Sequence, residues 1–407
     1  MMTRFSSRMT HAHRSFVREI LKVTEDPSII SFAGGLPNPK VFPVPAVARA
    51  AEKVLSEAGA ASLQYAATEG FRPLREYIAA RYARRGVKVS VDEILITNGS
   101  QQGLDLIAKA LLDAGDAVLV ERPTYLAAIQ AFGLFEPRFV ALPLEEDGVS
   151  PSAISDALSE HSPKLFYAIP NFQNPSGISW SAEKRTAAAA LLERSDTVLV
   201  EDDPYGELRF KGVPLPPLGL APDGSGPASW AVLLGTFSKT VAPGLRIGWL
   251  CARPDIMESV IVAKQAADLH SNGFAQRVLH RYVTDNDVDG HIAMIRRLYG
   301  RQRDLMVEMV KTLFPPEVSC TKPEGGMFLW MTLPEGMSSM DFFDRSIREK
   351  VAFVPGQAFF TDGCGANTLR LNFSNADEAM IEEGIRRLAR VFAGMRSGAA
   401  RAAEAKA

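Results

Sequence analysis

From residue 92 to residue 251, short apolar runs alternate with helical segments, and this alternation constrains the fold more than any other feature of the chain. Residues 94–97, 117–120, 138–142, 165–169, 197–200, 231–234 and 247–251 each read as a strand of four or five residues. Residues 101–112, 125–132, 151–159 and 182–193 carry helical spacing between them. Near-continuous apolar strands separated by helices predict a mostly parallel, seven-stranded sheet covered on both faces. In such sheets ligands gather outside the carboxyl ends of the strands. The loops that leave the strands are therefore the places to read for chemistry.

A chain of 407 residues is long for one core and predicts two domains. Helical spacing over 45–59 and 71–85 leads into the alternating region. Beyond residue 253 the pattern turns helical, and an amphipathic stretch over 290–314 has the length of a connector. Strands at 326–332, 351–354 and 369–373, with helices at 340–350 and 377–395, make a second unit of α+β type. The predicted division is an N-terminal arm over 1–45, a large α/β domain over 46–288 and a smaller α+β domain over 289–407. The net charge of −2 gives no reason to expect nucleic acid or an anionic membrane as partner. No apolar run reaches the length of a membrane span, and the arm lacks the apolar core of a secretory signal. Cys251, Cys320 and Cys364 are widely spaced and odd in number, which suits reduced thiols and a cytoplasmic protein. His11 and His13 lack further ligands nearby, so no metal is expected.

The loop over 236–246, TFSKTVAPGLR, places Lys239 beside Thr236, Ser238 and Arg246. Hydroxyls and a guanidinium beside a lysine suit an anion such as a phosphate. Alone, the loop is equally compatible with a solvated lysine. Residues 97–103, TNGSQQG, open a helix after a strand and offer its N-terminal N–H groups, with Ser100, to an anion. This is neither GxGxxG nor a Walker motif, so dinucleotide and nucleotide readings lose ground. Asn174 in PNFQNPSG has an amide able to donate to a ligand oxygen, although the segment is also built of ordinary turn residues. Asp202 and Tyr205 of EDDPY follow a strand and suit either a metal or a protonated ring nitrogen. Arg370 of NTLRLNFS sits in an apolar strand and requires a carboxylate partner. The glycine pair of SFAGGLPNP, over 31–39, lets backbone approach a ligand closely.

One cofactor uses all of these parts: pyridoxal 5'-phosphate, with its phosphate, phenolic oxygen, ring nitrogen and aldehyde. The order GGLPNP, NGSQQG, NPSG, EDDPY, SK…R, LRLNFS spans nearly the whole chain. It resembles the fold-type I, class I/II aminotransferases, in particular the 2-aminoadipate, kynurenine and broad-specificity branch. The cue for that branch is the arm, FVREILK over 16–22, followed by SFAGGLPNP. The resemblance implies that Lys239 takes the cofactor aldehyde and, once released, moves the proton. It implies that Asp202 keeps the ring nitrogen protonated and that Tyr205 and Asn174 bond the phenolic oxygen. Ser100, Gln101, Thr236, Ser238 and Arg246 are implied for the phosphate, and Tyr125 for stacking on the ring. Tyr65 is implied to reach the phosphate of a neighbouring subunit, hence a homodimer with shared sites. Arg370 would clamp the substrate α-carboxylate, with Gly35 and Asn174 also at the substrate. Arg18 would read a distal carboxylate and swing away for apolar side chains; read without the family, it is a helix-surface arginine. The implied reaction is transamination between an L-amino acid of 2-aminoadipate, aromatic or branched-chain type and a 2-oxo acid, 2-oxoglutarate foremost. A β-eliminating lyase on the same fold and a cofactor-binding sensor domain remain the alternatives.

Overall fold

The computed structural model of the chain describes residues 5–10, 20, 26–221, 223–224 and 226–404. Its strands in chain order begin with Ile30–Ser31 (β1), Ile94–Thr97 (β2), Ala117–Arg122 (β3), Arg138–Glu145 (β4) and Gly148–Val149 (β5). Leu165–Ala168 (β6), Val198–Asp202 (β7), Ala231–Thr236 (β8) and Gly248–Ala252 (β9) follow. The last are Ser319–Cys320 (β10), Phe328–Thr332 (β11), Val351–Ala352 (β12), Val354–Pro355 (β13) and Thr368–Asn372 (β14).

The large sheet runs β2-β9-β8-β7-β6-β3-β4-β5. It has eight strands where the sequence predicts seven. The extra one, β5, is a two-residue edge strand pairing antiparallel with β4, too short to leave a periodic signal. The pairs from β8 through β7, β6 and β3 to β4 are parallel. Only β9 breaks the direction in the interior, pairing antiparallel with both β8 and β2. The link from β8 to β9 is too short for a crossover, so the chain turns back at once. That turn carries Lys239 and Arg246 at the edge where the parallel strands end, since Gly248 sits opposite both Thr236 and Thr97.

Successive residues of these strands face opposite layers, as the period of two requires. Leu95, Val118, Val120, Leu165 and Val200 pack with Leu104 and Ile107 of the helix Ser100–Leu111. Leu119, Phe166 and Leu199 pack with Ile154, Ala188 and Leu192. Ile94, Ile96, Trp249 and Cys251 pack with Leu74 and Ile78 of the helix Arg72–Arg84. Burial on both faces accounts for strands with almost no polar alternation.

The helix Val288–Leu313 leads from this sheet to a second one, ordered β10-β11-β14-β13 and antiparallel throughout. The stretch 351–354 is not one strand, as its apolar run suggests, but two. Val351–Ala352 pairs with β1 and Val354–Pro355 with β14, so the chain changes sheets at Phe353. Because β1 pairs with β12, and Phe32 accepts from the Asn372 amide at 2.8 Å, the segment after β1 is stitched into this second unit. The helix Glu378–Glu404 closes the described chain. Among the described residues no helix is long and apolar enough to cross a membrane, and the three cysteines are free.

Candidate active site

A cavity of about 480 Å³ opens at the carboxyl edge of the large sheet, against the second sheet. Its wall includes Gly35, Ser100, Gln101, Tyr125, Asn174, Asp202, Tyr205, Thr236, Ser238, Lys239, Arg246 and Arg370. Thus residues from seven separate stretches of sequence, 35 to 370, are brought together. Tyr65 is not among them: it is 79% exposed and meets His270 edge-on at 5.8 Å. Arg18 lies outside the described residues, as do His11 and His13.

Lys239 occupies the turn between β8 and β9 and donates from Nζ to the Gly35 carbonyl at 3.0 Å. Although part of its surface opens to the cavity, its amine is pushed down to about 8. Burial is the main cause; the Arg370 and Arg246 charges add to it, and Asp202 opposes it. Asp202 ends β7 and is 2% exposed. Its Oδ2 accepts from the Tyr167 hydroxyl at 2.9 Å, while Oδ1 is buried without a partner among the described residues. Burial raises its carboxyl to about 7, against the Tyr167 hydrogen bond and the Lys239 charge.

Arg370 stands in β14 between two flanking strands, opposite both Trp330 and Val354. Its Nη1 donates to Asn174 Oδ1 at 2.8 Å and its Nη2 to the Ala33 carbonyl at 2.7 Å. The guanidinium lies 4.4 Å over the Phe328 ring and 5.0 Å from that of Phe359. Among the described residues no carboxylate pairs with it, and Nε is buried without a partner. Burial lowers it to about 10, well below the usual arginine range. Tyr205 is buried, its hydroxyl pushed up by desolvation and bonded to Asn174. Tyr125 precedes the helix Leu126–Gly133, and burial raises it to about 12.

At the other end of the cavity, the helix Ser100–Leu111 starts after Gly99, whose φ of 75° suits glycine alone. A Cβ on Gly99 would lie 2.7 Å from Arg246 Nη2, and one on Gly248 would lie 2.7 Å from the Ser100 nitrogen. The two glycines let three segments meet, and Arg246 Nη2 donates to the Asn98 carbonyl at 3.2 Å. Thr236 Oγ1 lies 2.9 Å from Ser238 Oγ and accepts from the Ser238 amide at 3.1 Å, fixing the start of the lysine turn. Gln101 donates to the Ala127 carbonyl at 3.3 Å. Unpaired N–H groups at a helix start, two hydroxyls and a guanidinium form an anion cradle.

Several contributors escape a reading of the sequence. Tyr167 is one, although a tyrosine in the otherwise apolar run LFYA must place its hydroxyl somewhere. Glu121 is another: it accepts from Trp180 Nε1, the Ile169 amide and Gln173 Nε2, at 2.8, 3.0 and 3.2 Å, and so holds the loop that bears Asn174.

The chain matches the family model for aminotransferase class I and II over residues 32–388. The chain belongs to the class I and II aminotransferases. Aromatic-amino-acid aminotransferase 1 of Thermococcus litoralis is 42% identical over 95% of this chain and 93% of that one. The α-aminoadipate aminotransferase of Thermus thermophilus, solved with N-(5'-phosphopyridoxyl)-L-leucine, superposes with a TM-score of 0.90 at 40% identity, covering 97% of this chain and 98% of that one. The kynurenine aminotransferase of Pyrococcus horikoshii does so at 0.91 and 42%, covering 96% and 97%. This aminotransferase has the fold of the fold-type I enzymes, and its cofactor is pyridoxal 5'-phosphate. The residues present fit that group: an anion cradle, an unspent buried carboxylate oxygen on Asp202 and a lysine share one cavity.

Proposed function

We propose that this aminotransferase passes the amine of 2-aminoadipate, aromatic or branched-chain amino acids to 2-oxoglutarate. Similarity to enzymes named for aromatic, aminoadipate and kynurenine substrates supports the donor class. Apart from the charged groups, hydroxyls and phenols already described, the wall includes Leu36, Leu126, Phe359 and the Gln130 amide, which suits apolar donors. Arg18 is our candidate for reading the distal carboxylate of acidic substrates.

The observation that carries the assignment of roles is Arg370. A buried guanidinium with an unpaired Nε and no carboxylate partner among the described residues is a standing requirement for an anionic ligand. In our reading it receives the substrate α-carboxylate, orienting Cα toward Lys239. When bound, pyridoxal 5'-phosphate supplies the aldehyde that accepts the amine and the ring that accepts electrons. Lys239 moves the proton at Cα, a task suited to an amine lowered to about 8. Asp202 Oδ1 holds the ring nitrogen, with Tyr167 fixing the carboxylate from the other oxygen. Asn174 and Tyr205 address the phenolic oxygen, and Tyr125 the ring face. Ser100, Gln101, Thr236, Ser238 and Arg246 hold the phosphate. Exposure of Tyr65 suits the reach of that side chain into the site of a second copy, hence a homodimer. The helix Val288–Leu313 marks our boundary between a large domain over 46–288 and a small one over 289–407, which residues 1–45 join. We place the enzyme in the cytoplasm, where its free thiols stay reduced.

Absorbance of the holoenzyme during addition of single amino acids, without any oxo acid, tests the reading. 2-Aminoadipate, glutamate, leucine, phenylalanine and kynurenine form the panel. The expected outcome is conversion of the cofactor to its amine form, one per site, with an aminoadipate, aromatic or branched-chain donor fastest. Release of pyruvate or ammonia with the cofactor unchanged refutes it.

A further inference from the structure

Behind the loop that opens the helix Ser100–Leu111 lies a buried ion pair that none of the roles above uses. Lys264, in the helix Pro254–Ala267, has no exposed surface. Its Nζ lies 2.9 and 3.0 Å from the two Asp268 oxygens, 3.1 Å from Gln102 Oε1 and 3.0 Å from Ser271 Oγ. Asp268 in turn holds the loop: its Oδ2 accepts from Asn98 Nδ2 and from Gln102 Nε2, both at 2.7 Å. Gln102 Oε1 accepts the Asn98 backbone amide at 2.8 Å, and Ser271 Oγ donates to the Ile96 carbonyl at 3.2 Å. Residues 96, 98 and 102 are thus tied from behind, while Arg246 and Gly248 press on 98–100 from the cavity side.

This arrangement poses an electrostatic problem. A carboxylate makes the strongest bracket for two amide donors, yet here it stands behind a loop whose front faces an anion. An uncompensated charge of the same sign so close would oppose that anion in a poorly screened setting. The structure answers with a lysine one turn back, in the helix whose end Asp268 caps, and fully covered.

We propose that Lys264 is a positioning residue for the cofactor phosphate: by neutralising Asp268 it allows a carboxylate to clamp the Asn98–Gln102 loop without repelling the anion in front. The inference rests on the assignment of the phosphate to that helix start. Three consequences follow from the charges alone. Lys264→Met leaves a buried, unopposed carboxylate and weakens the phosphate-bearing cofactor. Asp268→Asn keeps a side-chain acceptor for the loop and leaves a surplus cation, so phosphate binding holds or improves. The pair Lys264→Met with Asp268→Asn is neutral again and recovers most of the loss.

The test measures dissociation constants of the full-length apoenzyme for pyridoxal 5'-phosphate and for pyridoxal, which lacks the phosphate. Both ligands report the aldehyde and ring alike, so their ratio isolates the phosphate. Lys264→Met is expected to raise the constant for the phosphorylated form by about tenfold or more and to leave that for pyridoxal nearly unchanged. The double variant should restore the ratio to within about threefold of the native value. Equal loss for both ligands, or a double variant no better than Lys264→Met, overturns the proposal in favour of a structural ion pair. If Lys264→Met does not fold, Asp268→Asn decides, since a tenfold loss of phosphate preference there is also fatal. Failure of the native apoenzyme to prefer the phosphorylated form defeats the phosphate assignment instead.

Discussion

The two sheets each bury one charge in the cavity wall, and they do so under opposite conditions. Asp202 stands at the end of a parallel strand, where adjoining strands and turns deliver Tyr167 and Lys239 to it. Arg370 stands in the middle of an antiparallel strand, where the described neighbours supply a carbonyl, an amide oxygen and two aromatic faces but no opposite charge. A strand end can gather a cluster, because several chains turn there. A strand interior can only be lined by whatever its sheet and the covering arm provide. The first charge is therefore partly answered by the protein, and the second is the one we propose the substrate carboxylate answers.

Lys239 feels both, raised by Asp202 and lowered by Arg370, so its removal should break the comparison most completely. Lys239→Ala is expected to lower transamination by roughly a thousandfold or more, read by single-turnover absorbance, and borohydride should then fix no cofactor to the chain. Asp202→Asn is next, with kcat reduced about a hundredfold or more. Arg370→Leu should raise KM for amino acids by about a hundredfold, an effect that decarboxylated amine analogues of the same donors would not show. The same two variants sharpen the contrast through the amine itself. Loss of the Asp202 charge should move the Lys239 pKa further down, and loss of Arg370 should move it up, as seen in the pH dependence of amine acylation in the apoenzyme. Shifts of the same sign in both variants would contradict the opposed electrostatics described above. Tyr167→Phe is expected to cost only about three- to tenfold in kcat, since it removes one neutral donor from Asp202.

The smallest effect concerns stability without the cofactor. Asp202 has an ordinary value of 3.8 and a folded value of about 7. Between those limits the unfolded chain gives up a proton that the folded chain retains, so folding loses stability as pH rises through that window. Glu121 and Glu201, both raised to about 7 by burial, act in the same direction. Asp202→Asn should therefore stabilise the apoprotein at pH 8 by about 1–2 kcal/mol and by almost nothing at pH 4, checked by urea melts at the two values.

Much of the fold is legible in the chain because buried parallel strands are apolar on both faces, and their runs are interrupted by helices of visible period. All seven predicted strands of the large sheet exist, while β5 and the split at Phe353 were hidden by their two-residue lengths. The loop residues are legible for a related reason: at strand ends, unusual polar types have no packing role to explain them. Arg370 was equally visible, as a charge in an apolar strand. Tyr167, Glu121 and Lys264 were not, because each reads as an ordinary member of its strand or helix. Lys264 and Asp268 read as an ordinary i,i+4 surface pair, while the contacts that give these residues a role reach across the chain, as with Lys264 and Gln102, 162 residues apart.

The sequence by itself determined the order of elements, the turn that carries Lys239 and the set of groups able to meet an anion, a ring nitrogen and a carboxylate. Those follow from local periodicity and from side-chain chemistry at strand ends. Only the tertiary structure decided which polar groups are satisfied. Among the described residues it gave Asp202 one partnered and one unpartnered oxygen, left Arg370 without a paired carboxylate, and set Lys264 behind the loop that opens the helix Ser100–Leu111. Burial and pairing depend on segments hundreds of residues apart meeting across a sheet edge, and no local pattern records that.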